Sequence, residues 1–107
     1  MKNTPLLTRE QRIDLPNTLL LDPATGQAAA YNGIHRLITG NASAALVTYA
    51  KAKGYKEAVW DESQYDPDGR WYEMPDWASK EVRARSTLIW VRSGNETDAE
   101  LRAIPQP

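Results

Sequence analysis

The sequence predicts an α+β fold: a single small domain in which an antiparallel sheet of about five strands packs on one face against one main α-helix, with short helices near the two ends. Its 107 residues are enough for one hydrophobic core and too few for a second. Hydrophobic residues make up 41% and charged residues 25%, as in ordinary globular proteins. Short segments rich in β-branched and aromatic residues outnumber those with helical periodicity. We therefore treat residues 1–107 as one domain, and expect 1–16 and 105–107 to be its most flexible parts.

The first elements are a short helix and a hairpin. Thr8 and Gln11 have the spacing of a capping box, and Pro16 limits the helix that follows. Residues 17–31, "NTLLLDPATGQAAAY", combine an apolar run, a loop with Asp, Pro and Gly, and a second strand of small residues. Because alanine favours helix, a helix over 26–38 is the alternative, and the state of residues 27–40 stays open.

The main helix is predicted within residues 42–53, "ASAALVTYAKAK". Asn41 is placed to cap its start, and Leu46, Tyr49 and Ala50 share one face. Gly54 follows it, where a left-handed residue ends many helices.

Three further strands are predicted after this helix, in residues 55–60, 70–74 and 83–94. We expect the meander they form, from Tyr55 to Arg92, to carry most of the sheet. The segment from 75 to 85 has one helical turn as its alternative. Thr97 and Glu100 form another capping box, which predicts a last short helix that Pro105 stops.

The sequence "DPDG", Asp66 to Gly69, is the strongest local signal. Asp at the first position, Pro at the second and Gly at the fourth are typical of a type I turn followed by a bulge, which closes many hairpins. The hairpin would place Asp66 opposite Arg70 and Tyr65 opposite Trp71.

Acidic charge is concentrated around this turn. The net charge of the chain is only −1, so no overall field draws it to nucleic acid or to an anionic membrane. Between residues 57 and 76, however, seven acidic residues face the single basic residue Arg70. Aromatic rings dominate protein interfaces, and surrounding carboxylates give such interfaces specificity. The sequence therefore predicts a protein-binding surface made of Tyr65, Asp66, Asp68, Arg70, Tyr72, Glu73, Asp76 and Trp77.

Other interpretations of the same stretch are weaker. An EF-hand calcium loop aligned on Asp68 and Gly69 would have Gln64 and Pro75 at the end positions that need acidic ligands. The carboxylates also suit an acidic mimic of DNA. Since the chain has no Phe, its tryptophans must supply aromatic core volume. We accordingly assign Trp60, Trp71 and Trp90 to the core, whereas Tyr72 and Trp77 have even odds of exposure.

The sequence lacks the residues that several kinds of catalytic and metal site require. There is no cysteine, which excludes disulfides, thiolate nucleophiles and cysteine-ligated zinc. His35 is the only histidine, and no motif places a nucleophile beside it. No metal set or cofactor loop is recognisable, so no metal and no cofactor are expected. The absence of a signal-peptide core and of a membrane span makes the cytoplasm the expected location, without a membrane partner.

Together these features favour a small non-enzymatic cytoplasmic protein that binds and regulates another protein. Such domains are typical of adaptors, antitoxin-like regulators and the inhibitors that phages and plasmids carry against host systems. The first alternative is nucleic-acid binding through Arg83, Arg85 and Arg92, with Trp90 as a stacking platform. A DNA mimic is a further alternative, and an enzyme acting through Asp and Glu the least favoured one.

Overall fold

The computed structural model describes residues 6–32, 35–61, 63 and 72–107. These residues form an antiparallel sheet of five strands and four short helices, which confirms the predicted α+β class. The spatial order of the strands is β3-β2-β1-β5-β4. The strands are β1 (Thr18–Leu21), β2 (Ala28–Tyr31), β3 (Leu37–Thr39), β4 (Glu57–Val59) and β5 (Thr87–Trp90). The helices are α1 (Arg9–Ile13), α2 (Ala44–Lys53), α3 (Lys80–Arg85) and α4 (Asp98–Arg102).

The hairpin β1–β2 lies where the sequence predicts it. Its register pairs Leu21 with Ala28, and the loop is closed by the Asp22 N–H donating to the Gln27 carbonyl at 2.8 Å. Gly26 has φ +79°, a left-handed conformation that glycine adopts without strain. The helical alternative for residues 26–38 is therefore wrong. Residues 27–40, whose state the sequence left open, contain β2 and β3, and β3 was not predicted.

Two predictions about the sheet are wrong. Residues 72–74, the described part of the strand predicted over 70–74, are irregular. Three of the five described strands, β1, β2 and β3, precede α2, so the part of the chain from Tyr55 to Arg92 does not carry most of the described sheet. The turn at Asp66 to Gly69, with the pairings proposed around it, lies outside the described residues.

The strand predicted over 83–94 is helical in its first three residues, 83–85. α3 occupies its first residues and begins at Ser79, whose hydroxyl accepts a hydrogen bond from the Val82 N–H at 3.2 Å. It ends at Ser86, whose hydroxyl donates to the Val82 carbonyl at 2.6 Å. Only Thr87–Trp90 is extended. The helical alternative for 75–85 is thus correct at its C-terminal end, and Arg83 and Arg85 lie on a helix instead of a strand.

The helix ends follow capping rules. α2 begins at Ser43 and not at the predicted Asn41, because the Ser43 hydroxyl is the group that accepts from the Leu46 N–H, at 3.1 Å. Gly54 ends the helix with φ +65°, as predicted. Both predicted capping boxes, at the starts of α1 and α4, are present.

The sheet is buried on both faces, because β1 and β2 send alternate side chains into two different hydrophobic clusters. The first cluster lies under α2 and α4; the buried residues in it are Leu19, Leu21, Ala28, Ala30, Leu46, Ala50, Ile89, Val91, Leu101 and Ile104. The second lies on the opposite face; its buried residues are Leu20, Ala29, Tyr31, Trp60 and Ala78. The prediction of a helix on one face is correct, and residues 72–78 cover the other face.

Candidate functional site

The described part of the predicted binding surface is the segment 72–77, which crosses the second face of the sheet without regular structure. Tyr72, Met74 and Trp77 are half-buried and pack against the second cluster, whereas Glu73 and Asp76 are exposed. The apolar side chains thus hold the segment to the sheet while the carboxylates between them point to solvent. We call residues 72–77 the anchored acidic segment.

Tyr72 is held by a group of aromatic rings. Its ring meets Tyr31 edge-on, with centroids 5.0 Å apart and planes at 86°, and meets Trp60 at 5.4 Å and 68°. The imidazole of His35 lies 4.3 Å from the same ring. Edge-to-face pairs at these distances stabilise beyond the area they bury. Burial also raises the pKa of the Tyr72 phenol and lowers the pKa of His35.

Trp77 holds the other end of the segment. Its indole Nε1 donates to the carbonyl oxygen of Gly40, just after β3, at 2.6 Å. The chain turns here, since the Ala78 N–H donates to the Pro75 carbonyl at 3.0 Å. A half-buried indole that uses its only donor to bind the backbone is an anchor. Its face is therefore only partly available to a partner.

The carboxylates of the anchored acidic segment are exposed. Among the described residues, no basic side chain forms an ion pair with Glu73 or Asp76. Four of the eight predicted binding residues lie here, and the structure places the two rings inward and the two acids outward. The other four, Tyr65, Asp66, Asp68 and Arg70, lie outside the described residues.

Of the tryptophans assigned to the core, Trp60 is buried with 6% exposure. Trp90 is half-buried, and the ammonium group of Lys56 lies 5.3 Å from its ring centroid. Trp71 lies outside the described residues.

Arg85, one of the three predicted nucleic-acid contacts, is engaged by a buried carboxylate. Its Nε and Nη2 donate to the two carboxylate oxygens of Asp22 at 2.8 and 2.9 Å. Asp22 is fully buried and also accepts from the Thr25 hydroxyl at 2.9 Å. The hydrogen bonds from Arg85 hold the pKa of Asp22 well below its usual range, against the opposing effect of burial. The pair ties α3 to the loop of the first hairpin.

Arg83 and Arg92 lie apart from each other. Arg83 Nη1 donates to the carbonyl of Ala78 at 2.8 Å, which fixes α3 to the residue that follows the anchored acidic segment. Arg92 follows β5, whereas α3 precedes it, so the two arginines are at opposite ends of that strand. Burial lowers the pKa of Arg92. A nucleic-acid contact through Arg83, Arg85 and Arg92 would therefore combine a helix before β5 with the residues after that strand.

The sequence reasoning missed a carboxylate that folds onto its own loop. Glu96 accepts hydrogen bonds from the N–H groups of Ser93 and Gly94, the latter at 2.8 Å, and from the Tyr55 hydroxyl at 3.2 Å. Burial opposes ionisation, but the hydrogen bonds from the loop, chiefly those of the Ser93 and Gly94 N–H groups, lower the pKa of Glu96 to about 2. Burial, with the carboxylate beside it, raises the pKa of Tyr55 to about 12. This group closes the loop after β5, and the Ser-Gly pair two to three residues before Glu96 is the sequence signal for it.

A shallow cleft of about 510 Å³ lies between α1 and the C-terminal segment. Asp14 is the one acidic residue among those that line it, which are Leu7, Gln11, Asp14, Leu15, Leu101, Arg102, Ile104 and Gln106. In the described part of the chain, no three acidic or histidine side chains come close enough to bind a metal ion. None of the described helices is both long and apolar enough to span a membrane.

Comparison with protein-family models, with curated proteins and with solved structures finds no match for this chain. The interpretation of the site therefore rests on the geometry of its own residues.

Proposed function

We propose that this chain is a small non-enzymatic regulatory protein of the cytoplasm, an adaptor or inhibitor that binds another protein through the anchored acidic segment. The observation that carries the proposal is the alternation along this segment of packed rings with exposed carboxylates. Tyr72 and Trp77 fix the backbone to the sheet, and Glu73 and Asp76 are exposed between them.

Rigid support of this kind favours recognition. A carboxylate on a mobile loop loses conformational entropy when it binds, while one on a fixed backbone loses less. The sequence adds Asp66 and Asp68 to the same stretch, so the surface offers negative charge to a basic partner. We expect the partner to present Lys or Arg side chains, which carboxylates at an interface select by charge.

Protein is favoured over nucleic acid as the partner because two of the three arginines of the alternative function are already engaged. Arg85 binds Asp22 through both carboxylate oxygens, and Arg83 binds a backbone carbonyl. A guanidinium that serves phosphate would have to leave these acceptors. Weak retention on a nucleic-acid column that is insensitive to salt would support this choice, whereas a steep fall with salt would favour nucleic acid.

A binding role is favoured over catalysis by the positions of the carboxylates. Paired-carboxylate chemistry needs two acids in one cleft, with pKa values displaced in opposite directions. The cleft beside α1 contains Asp14 alone. Asp22 and Glu96, whose pKa values are displaced, are both lowered and are both saturated with structural hydrogen bonds.

The test is a matched charge reversal. The partner is captured from the native host with the wild-type chain, identified, purified and measured against variants by calorimetry. The double variant Glu73→Lys with Asp76→Lys should weaken binding at least tenfold. The control, Glu10→Lys with Glu81→Lys, changes the net charge equally on α1 and α3 and should keep the wild-type affinity. Equal losses in the two double variants would show that only overall charge matters, and no loss in either would refute the proposed surface.

A further inference from the structure

Among the described residues, the sheet has an open edge at β4. β4 is the last strand in the spatial order and pairs antiparallel with β5 on one side. On its other side, no described residue pairs with it. Val59, in this strand, is 78% exposed, which is unusual for a valine.

The hydrogen bonds to β5 decide which backbone groups of β4 face outward. The Lys56 carbonyl accepts from the Trp90 N–H at 2.9 Å, and the Trp60 N–H donates to the Ser86 carbonyl at 3.1 Å. Inward and outward groups alternate along an antiparallel strand. The N–H and C=O groups of Glu57 and Val59 therefore point away from β5, and none of them has a hydrogen-bond partner within the described structure.

These outward groups are self-complementary. We propose that β4 pairs antiparallel with β4 of a second copy of this chain, about a two-fold axis at Ala58. Glu57 of each copy then lies opposite Val59 of the other copy, which gives two such pairs. Each pair exchanges two backbone hydrogen bonds. The axis brings the two Ala58 residues together at a close, non-hydrogen-bonded position, where their small side chains fit. The result is one continuous sheet across both copies.

Charge selects this register over its neighbours. A shift in one direction places Glu57 opposite Glu57 of the second copy. A shift in the other places Glu57 opposite Asp61. Like charges directly opposite each other destabilise a strand pair, and only the register centred on Ala58 avoids them.

The pairing is predicted to be weak. A strand of three residues buries far less than the roughly 1,000 Å² typical of a stable interface. Four backbone hydrogen bonds offset only part of the entropy lost on association. We therefore expect a dimer that forms at high micromolar concentration, seen as a rise in average mass above the 12.0 kDa of one chain.

Two variants that place opposite charges at position 59 test the register. The average mass in solution is measured by sedimentation equilibrium at protein concentrations up to about 1 mM. Val59→Glu places a second carboxylate opposite Glu57 and should weaken the dimer roughly three- to tenfold. Val59→Lys places an ammonium opposite the same residue and should strengthen the dimer by a similar factor, and the gain should vanish at high salt. Val59→Thr keeps a β-branched side chain and should stay within twofold of wild type.

The effects of the Val59 variants distinguish the proposed register from other modes of association. If Val59 acted only as an apolar patch, both charged variants would weaken association and the register would be wrong. If neither variant changed the dimer, its interface would lie elsewhere. A wild-type chain that stays monomeric at about 1 mM overturns the proposal without any variant. Equal melting temperatures of all four proteins show that the substitutions act at the interface alone.

Discussion

Tyr72 offers the most direct test of the anchored acidic segment, because its ring joins that segment to the sheet. Tyr72→Ala removes the edge-on contacts with Tyr31 and Trp60 and the contact with His35. Truncation of a fully buried large aromatic ring costs about 3–5 kcal/mol, so half burial corresponds to about 2 kcal/mol. Two edge-to-face pairs add about 0.5 kcal/mol or more each. We expect the free energy of unfolding to fall by about 3 kcal/mol, and the melting temperature by roughly 10–20 °C.

The measurement is urea unfolding at 25 °C, followed by tryptophan fluorescence and circular dichroism. Tyr72→Phe keeps the ring and should keep most of the stability. Glu73→Ala changes the exposed neighbour and should cost less than about 0.5 kcal/mol. If Tyr72→Ala were as mild as Glu73→Ala, the ring would not be an anchor, and the carboxylates beside it would lack the rigid support on which the proposed binding surface depends.

Two further predictions concern the frame around the site. Gly54→Ala should lower the free energy of unfolding by about 1 kcal/mol, because the residue has φ +65°. An added Cβ would meet no atom within 4 Å, so only the backbone is strained. Gly40→Ala, at a position that is equally open but lacks the positive φ, should be neutral, and equal losses of stability in thermal unfolding would contradict this reasoning. Asp22→Asn should destabilise at pH 7 by weakening the pair with Arg85. The pKa of Asp22 is lower in the folded than in the unfolded state, so the stabilisation by its carboxylate is present above about pH 4 and declines as the pH falls. The difference in the free energy of unfolding between wild type and Asp22→Asn should therefore narrow toward pH 2. A difference that does not depend on pH would count against the ion pair.

The elements that the sequence predicts correctly have signals confined to a few neighbouring residues. The loop of the first hairpin needs a left-handed residue and has Gly26. The end of α2 needs another and has Gly54. The capping boxes join side chains to backbone groups three residues away. Signals of this range depend little on distant contacts.

The wrong predictions concern segments whose state depends on distant contacts. Residues 83–85 alternate charged and small side chains as an exposed strand does, but the Ser79 cap and the bond from Arg85 to Asp22 stabilise a helix there. Residues 72–74 contain a tyrosine, which favours strand. In the structure Tyr72 and Met74 pack against the second cluster on the face of the sheet, and residues 72–74 form no strand.

The position of the proposed binding surface follows from strands β1 and β2. Leu19, Leu20 and Leu21 are consecutive and all buried, and a strand covered on one face only would alternate apolar with polar residues. The run therefore implies a second layer opposite the main helix. The helices account for Leu19 and Leu21, while Leu20 and Tyr31 lie on the other face. In a chain without phenylalanine, the rings that cover that face must come from Tyr and Trp, and the stretch that contains most of the tryptophans also contains the acids. Where residues 72–77 pack onto the sheet, Glu73 and Asp76 are left exposed, so the same packing that completes the core creates the described part of the acidic surface.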